Sequence, residues 1–469
     1  MEDLPELRAD AARRLQAATS QMDRFLLRDD SQSLGRTDPT RTLCEALSTE
    51  ARRLVAETLH ECDGPTREST LRSAYRLASS LANVVAWSAP ASQESCALNS
   101  FPAVVARDVV AYARYGSDET AAQEEAYLAM LGFDPAQARL LLTSSGMTAY
   151  ALIEAFLLRE VLRPADRVVL HPGVYFETRQ QLQSLPALDI KIARGGSRTD
   201  ILQAIAAHQP KVVLVDPLSH SSEVRLLDLP RLLHAAEGVC REVTWFIVDG
   251  TLLSGGFDPF SHHRLRPKVR VLYYESGCKY MQFGMDLGPA GVVVVEASLA
   301  QQFEQLRRGI GAIASETLVL PRVSRNAYLG YLRAQTGCAK AVVEAVLESS
   351  AHGGRIIECT FPSEPSHPDY SEAFHYPHLG GIVVFRFRED RFNRRKPLEC
   401  FIDYLLASAR SQNLPLTAGV SFGFRLPRIG VTLIAYGADD AYLRLSAGVS
   451  VESAAKLGRL IVRCAREFQ

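Results

Sequence analysis

The chain has 469 residues, long enough for a large catalytic domain with accessory parts. Its 52 Lys and Arg are balanced by 53 Asp and Glu, a formal charge of −1 that argues against a nucleic-acid partner, which needs a basic face. A hydrophobic share of 47% with 22% charged residues excludes global disorder, and no run approaches the ~20 apolar residues of a membrane span.

The start, Met1 to Glu6, is acidic where a signal peptide would be basic and then apolar. The nine cysteines are scattered and include no C-x-x-C pair, so neither a disulfide framework nor a zinc knuckle is indicated. A reducing, cytoplasmic compartment is the expectation. Residues 1–105 read as a helical N-terminal extension. Leu4, Leu7, Ala11, Leu15, Ala18, Met22 and Phe25 recur at spacings of three and four. Leu43, Leu47, Ala51, Leu54 and Leu59 form a second stripe after Thr37-Asp38-Pro39-Thr40. The pairs Arg13-Arg14 and Arg52-Arg53 read as solvated helix faces.

Within residues 106–330 short apolar runs alternate with helical stretches. Leu140–Leu142, Val168–Leu170, Val212–Val215, Trp245–Val248, Val271-Leu272 and Val292–Val295 read as buried strands, with helical stripes such as Tyr150–Val161 and Asp228–Glu237 between them. This predicts an α/β fold with a mostly parallel central sheet, which places ligands outside the carboxyl ends of the strands. Those ends carry Ser144-Ser145-Gly146, His171-Pro172, Asp216-Pro217, Asp249-Gly250 and Glu275-Ser276-Gly277-Cys278-Lys279. Residues 331–469 read as a smaller α+β domain: a long helix, a Pro/His-rich loop at Phe361–Tyr376, strands at Gly381–Phe387 and Tyr442–Ser446, and a final helix.

Ser145-Gly146-Met147 lies between a strand and a helix, where free backbone N–H groups and the helix dipole attract phosphate. There is no GxGxxG and no Walker-type sequence, so a dinucleotide or ATP cradle is not supported. Asp249 and Lys279 each follow a strand on the same sheet edge. A lysine for a Schiff base, a carboxylate to keep a pyridine nitrogen protonated and an upstream phosphate turn together meet the needs of pyridoxal 5'-phosphate. His262-His263, His367, His375 and His378 match no common ligand spacing, so no metal is expected.

These residues resemble the Cys/Met-metabolism group of pyridoxal-phosphate enzymes, the cystathionine γ-synthase, γ-lyase and methionine γ-lyase relatives of the aspartate-aminotransferase fold (fold type I). Tyr112-Ala113-Arg114-Tyr115-Gly116 resembles the YxRxG segment, whose Tyr and Arg reach the phosphate in the neighbouring subunit. Ser145-Gly146-Met147 is similar to SGM, whose amides bind that phosphate. Tyr175 falls where the group has a ring stacked on the cofactor and active in proton transfer, but Phe176 and Glu177 replace the small residues that follow. Asp216-Pro217-Leu218-Ser219-His220 stands in place of ExPSNP, so the resemblance gives His220 the contact with the cofactor's ring oxygen. Ser276-Gly277-Cys278-Lys279-Tyr280 resembles SATKY, which implies phosphate contacts for Ser276 and Cys278, and Asp286 takes the GHxD-like position. Arg444 in Leu443-Arg444-Leu445-Ser446 resembles the arginine that forks onto the substrate α-carboxylate, with Ser421 beside it.

The resemblance implies a lyase acting on an α-amino acid with a γ- or β-leaving group, with Lys279 as base and Tyr175 as the acid assisting departure. Tyr175 would need its pKa lowered from ~10 for that role. An unusual substrate, such as one with a halide leaving group, is one expectation. The alternatives are a γ-replacement enzyme joining a thiol or carbon nucleophile to an activated homoserine, or a catalytically inactive scaffold. Sharing of Tyr112 and Arg114 between subunits implies a homodimer or a homotetramer built as a dimer of dimers, with no membrane partner.

Overall fold

The computed structural model describes residues 5–27, 39–59, 64–88, 118–261, 266–314, 318–350, 356–433 and 439–468. The chain opens with three helices, α1 (Pro5–Leu27), α2 (Pro39–Leu59) and α3 (Gly64–Ser88). Leu7, Ala11, Leu15, Ala18 and Met22 of α1 are buried at the predicted spacing, against Leu71, Ala74, Tyr75, Ala78 and Leu81 of α3. In α2 the phase differs from the sequence expectation. Leu43 is 56% exposed, and the buried face begins one residue later, at Cys44, Ser48, Ala51 and Leu54. Polar ties fix this unit to the body. Asp10, almost fully buried, accepts from Tyr75 Oη (2.7 Å) and the Arg322 amide (3.0 Å), and Glu6 accepts from Ser324.

After α4 (Asp118–Leu131) the chain builds a seven-stranded sheet from β1 (Ala138–Thr143), β2 (Arg167–Leu170), β3 (Asp189–Ile192), β4 (Val212–Val215), β5 (Thr244–Asp249), β6 (Val269–Ser276) and β7 (Gly291–Glu296). The order is β1-β7-β6-β5-β4-β2-β3. Pairing is parallel from β3 through β6, while β7 runs antiparallel to both β6 and β1. The central strands are β-branched runs buried along their length, as a sheet covered on both faces requires. Between strands come α5 (Gly146–Phe156), continued by a π-helical turn at Leu157–Val161, then α6 (Phe176–Gln183), α7 (Arg198–His208) and α8 (Leu229–Val239). Three of these helices start at clear side-chain caps, α5 at Ser145. A Ser197/Asp200 capping box opens α7, and Asp228 accepts from the Arg231 amide at the start of α8.

After β7, α9 (Ala300–Ile310) returns to β1. There the outer edge of β1 is closed: Leu142 donates its N–H to Glu124 at 2.9 Å, and its carbonyl accepts from Arg307 at 2.9 Å, while Arg307 also pairs with Glu124. This holds an edge strand that would otherwise expose bare backbone groups. The long α10 (Arg325–Ser350) leads to a second, five-stranded sheet. Its strands are β8 (Ile357–Thr360), β9 (Ile382–Phe387), β10 (Thr417–Ala418), β11 (Arg428–Leu433) and β12 (Ala441–Ser446), in the order β10-β11-β12-β9-β8. The helices α11 (Arg395–Ser411) and α12 (Val451–Glu467) pack with it, α12 most heavily on α10. No helix among the described residues is long and apolar enough to cross a membrane.

Candidate active site

The carboxyl ends of β1, β4, β5 and β6 lie on one edge of the seven-stranded sheet, and four short segments meet there. Thr143–Met147 turns from β1 into α5. Ser145 is the N-cap of α5, its Oγ accepting from the Thr148 amide at 3.0 Å. Gly146 packs on Ser276 at the end of β6 so closely that a Cβ would lie 2.8 Å from the serine Cβ. The helix start and Ser276 therefore form one continuous surface. Met147 lies beneath it, its sulfur 4.0 Å from Thr178 Oγ1.

The second segment is Asp249, which ends β5 and is 6% exposed. It accepts from the Thr251 amide at 2.9 Å, and burial raises its pKa against the pull of its hydrogen bonds to Thr251 and Tyr274. Asp216 follows β4 and is more deeply enclosed. Its Oδ2 accepts from the Tyr175 amide at 3.0 Å and lies 3.6 Å from His220 Nε2, while Oδ1 has no partner. Burial, then the charge of Asp249, raises its pKa well above the ordinary carboxylate value. Asp216, His220 and Asp249 offer ligand atoms within 4.8 Å of one another. His220 is pushed down to about 3 by burial and then by Arg444 and Lys279, and its Nδ1 is unpartnered.

The third segment carries Lys279. Its Nζ donates to Ser421 Oγ at 2.6 Å and stands 5.4 Å from the Phe422 ring centroid. Burial lowers the lysine pKa, aided by the charges of Arg444 and Arg428, so its neutral amine persists below the usual range of lysine. The fourth is the β10–β11 connection with Val420–Phe422, which meets Arg444 from β12. Arg444 donates to the Val420 carbonyl, its Cζ is 5.8 Å from the Phe422 ring, and its Nε is buried without a partner. Tyr175, the N-cap of α6, places its ring 5.3 Å from that of His220.

The structure thus brings together Ser145, Gly146 and Ser276, and, on the same edge, Asp249, Lys279, Tyr175 and His220, with Ser421 and Arg444 reaching them from the second sheet. Two expectations need correction. Burial and then the neighbouring Glu177 carboxylate raise the Tyr175 pKa, the opposite of the lowering its acid role called for. The Cys278 sulfur is turned onto Gly288 and Ala290, accepting from the Ala290 amide at 3.4 Å and lying 3.6 Å from both carbonyls, so its contacts are with that backbone. Tyr112, Arg114, His262 and His263 lie outside the described residues. His367 and His378 are buried against the carbonyls of Glu223 and Ser254, whereas His375 lies between Asp228 and Glu372. Sequence reasoning gave no role to Asp216 or Phe422. The apolar Phe422, lying among Lys279, Arg444, His220 and Tyr280, carries no sequence signal of that position.

No family model matches the chain. A curated relative, the bifunctional enzyme flvA of Aspergillus flavus, is 28% identical over 360 residues, which are 75% of this chain and 42% of that protein. The chain therefore spans about two fifths of the relative's length. Among solved structures, cystathionine gamma synthase from Xanthomonas oryzae pv. oryzae in complex with aminoacrylate and cysteine is 23% identical, covering 76% of this chain and 89% of that one at a TM-score of 0.60. Apo CalE6, a methionine gamma lyase from Micromonospora echinospora, is 20% identical, covering 76% and 90% at a TM-score of 0.58. The chain has the fold of these enzymes, the aspartate-aminotransferase-like fold type I.

Proposed function

We propose that the chain is a pyridoxal-phosphate-dependent enzyme of the Cys/Met-metabolism group, a lyase acting on an α-amino acid with a leaving group at Cγ or Cβ. One observation carries this reading: the partly buried Lys279 amine, hydrogen-bonded to Ser421 at 2.6 Å, follows a strand on the same sheet edge as the buried Asp249 carboxylate, and the Arg444 guanidinium of the five-stranded sheet lies by the same Phe422 ring as the lysine. The residues suit the cofactor. Unpartnered buried atoms of Asp216, His220 and Arg444 call for a polar ligand, and the Gly146–Ser276 surface at a helix start suits a phosphate.

Held at Lys279, pyridoxal phosphate would supply an electron sink that acidifies the substrate Cα–H once the substrate amine takes the place of the lysine. Asp249 would face the ring nitrogen, where a cation relieves the cost of burying its charge. Ser145, Gly146, Met147 and Ser276 would hold the phosphate, with Tyr112 and Arg114 supplied by a neighbouring subunit, and His220 the ring oxygen. Arg444 and Ser421 orient the substrate carboxylate. Lys279, once free, takes the Cα proton and moves protons at Cβ. Tyr175, with its raised pKa, stays protonated and so serves as a hydrogen-bond donor to the departing group. Phe176 and Glu177 at the start of α6 suit an unusual substrate, with a halide among the leaving groups to test. Replacement at Cγ is the second reading, favoured by the likeness to cystathionine gamma synthase.

Purified protein given pyridoxal phosphate is expected to show visible absorbance that Lys279→Ala abolishes. Its absence would return the chain to an inactive fold member. A mass-spectrometric screen of γ- and β-substituted amino acids, with and without a thiol, separates the reactions: ammonia and a keto acid mean lyase, a thiol adduct means replacement. On a sizing column the chain is expected to run as a dimer or tetramer, and a fully active monomer would contradict the shared site.

A further inference from the structure

The Pro- and His-rich connection between β8 and β9, residues 361–376, supplies no group to the site described above, yet it grips the segment that carries His220. Asp369, 7% exposed, accepts two bonds from Arg225, Nε at 2.6 Å and Nη2 at 2.8 Å, and a third from the Leu226 amide at 2.9 Å. His367 accepts from the Asp369 amide at Nδ1 (3.1 Å), which leaves its Nε2 hydrogen for the Glu223 carbonyl at 2.9 Å. Tyr376 closes the far end, donating to the Leu227 carbonyl at 2.5 Å and accepting from the Leu229 amide at 3.2 Å. From the sheet itself comes Tyr442. It lies two residues before Arg444 on β12, so both side chains leave the same face of the strand. The Tyr442 hydroxyl donates to the His220 carbonyl at 2.8 Å, while the His220 amide donates to the Gly173 carbonyl at 2.9 Å. Both backbone groups of His220 are held, one of them by the strand that carries the arginine.

The gripped turn needs this hold. Val224 is buried at φ +47°, in the left-handed region that a β-branched residue rarely adopts. Such a conformation persists only where its surroundings over-determine it. The bonds from His367 and Asp369 fall on its two chain neighbours, Glu223 and Arg225. Within the turn, Ser219 Oγ accepts from the Arg225 amide at 2.8 Å, and the Ser219 amide donates to the Arg225 carbonyl at 2.8 Å. A pull on Arg225 is therefore carried to the residue next to His220.

We propose that Asp369 and Tyr442 are positioning residues, which hold the turn of residues 217–227 so that the His220 imidazole meets the cofactor's ring oxygen. This rests on the cofactor reading above. An N–H donated to that oxygen stabilises its negative charge, so the bound cofactor gives up a proton at a lower pH than it would without the donor. Asp369 and Tyr442 touch neither cofactor nor substrate; they act through His220. Because Tyr442 and Arg444 share one face of β12, the strand that orients the substrate carboxylate also sets this tuning.

The test uses protein loaded with pyridoxal phosphate and reads the pH midpoint at which its visible spectrum changes. His220→Ala is expected to move that midpoint up by about one pH unit, as loss of a hydrogen bond to a charged oxygen requires. Tyr442→Phe and Asp369→Asn should each move it the same way by about half as much. In cofactor-free protein, hydrogen–deuterium exchange over residues 217–227 should quicken about tenfold in both variants, with 244–249 and 269–276 exchanging as in wild type. Variants that keep the wild-type midpoint, whatever their melting temperature, or that exchange faster throughout the chain, overturn the proposal. If His220→Ala leaves the midpoint unmoved, the assignment of the histidine fails and the proposal falls with it. If wild type shows no visible absorbance with the cofactor, the cofactor reading fails by itself. Exchange then decides alone: unchanged rates over 217–227 end the clamp, and a local increase retains it.

Discussion

Glu275, one residue before the end of β6, is a carboxylic acid that burial keeps protonated. It is 1% exposed, accepts from Ser254 Oγ at 2.5 Å and from the Tyr273 hydroxyl, and its pKa is pushed up to about 8, chiefly by desolvation. Its folded pKa lies above the unfolded value of 4.5, so the unfolded chain ionises first. Stability is therefore lost as pH rises from about 4.5 to about 8 and is level beyond. Glu275→Gln is expected to melt several degrees above wild type at pH 8 and level with it near pH 4.5. Parallel curves across that range would contradict it. At Arg444 the expectation concerns binding: Arg444→Ala should raise KM about a hundredfold, with a smaller change in kcat, as loss of a charge-assisted fork requires. Unchanged KM would remove the carboxylate assignment. Lys279, Asp249 and Arg444 were legible because each sits in or just after an apolar strand run beside small residues. Asp216 reads only as a strand-end residue, since its partners are the Tyr175 amide, brought in by another segment, and the His220 imidazole four residues on.

At the level of elements, the start of α5 is joined closely to the end of β6. A methyl group at Gly146 would stand 2.8 Å from Ser276 Cβ and 2.9 Å from its Cα, and backbone cannot retreat as a flexible side-chain tip can. Gly146→Ala is expected to weaken pyridoxal phosphate binding more than tenfold while the melting temperature of the cofactor-free protein falls only slightly; a reconstitution titration matching wild type would refute this. The strands that position the site were readable as Val- and Leu-rich runs. Four others, β3, β8, β10 and β11, were not, and two of them show why. β3 is an edge strand of half-exposed residues, Asp189–Ile192, with no apolar run to announce it. β11 carries Arg428 and Gly430 among its apolar residues, and pairing with β12 and β10 makes it a strand. The phase of α2 was misread for a similar reason: Leu43 is the more hydrophobic residue, but packing by α1 and α3 selects the face of Cys44.

For the whole molecule, the joint between the helical N-terminus and the body runs through Asp10. Asp10→Ala leaves Tyr75 Oη and the Arg322 amide without their acceptor, and Arg14 without its carboxylate, at a cost of roughly 2–4 kcal/mol in chemical denaturation. A change below about 0.5 kcal/mol would mean that water replaces these bonds without loss. That the N-terminus is helical was legible from its stripes; where it docks was not, because the docking partner, residues 319–324, is irregular backbone without periodicity. The sheet itself sets a timetable. Among the described residues β1 is the first of the seven strands of this sheet, yet the strand it pairs with is β7, the last of the seven to be made. During vectorial synthesis β1 and the turn at Ser145 must wait, unpaired, until Gly291–Glu296 leave the ribosome, and closing so large a loop is slow. On the proposed reading, a nascent chain halted before Gly291 leaves β1 and the Ser145 turn unpaired, so uptake of the cofactor would be a late folding event, well after the Asp249 strand has formed its own parallel pairings.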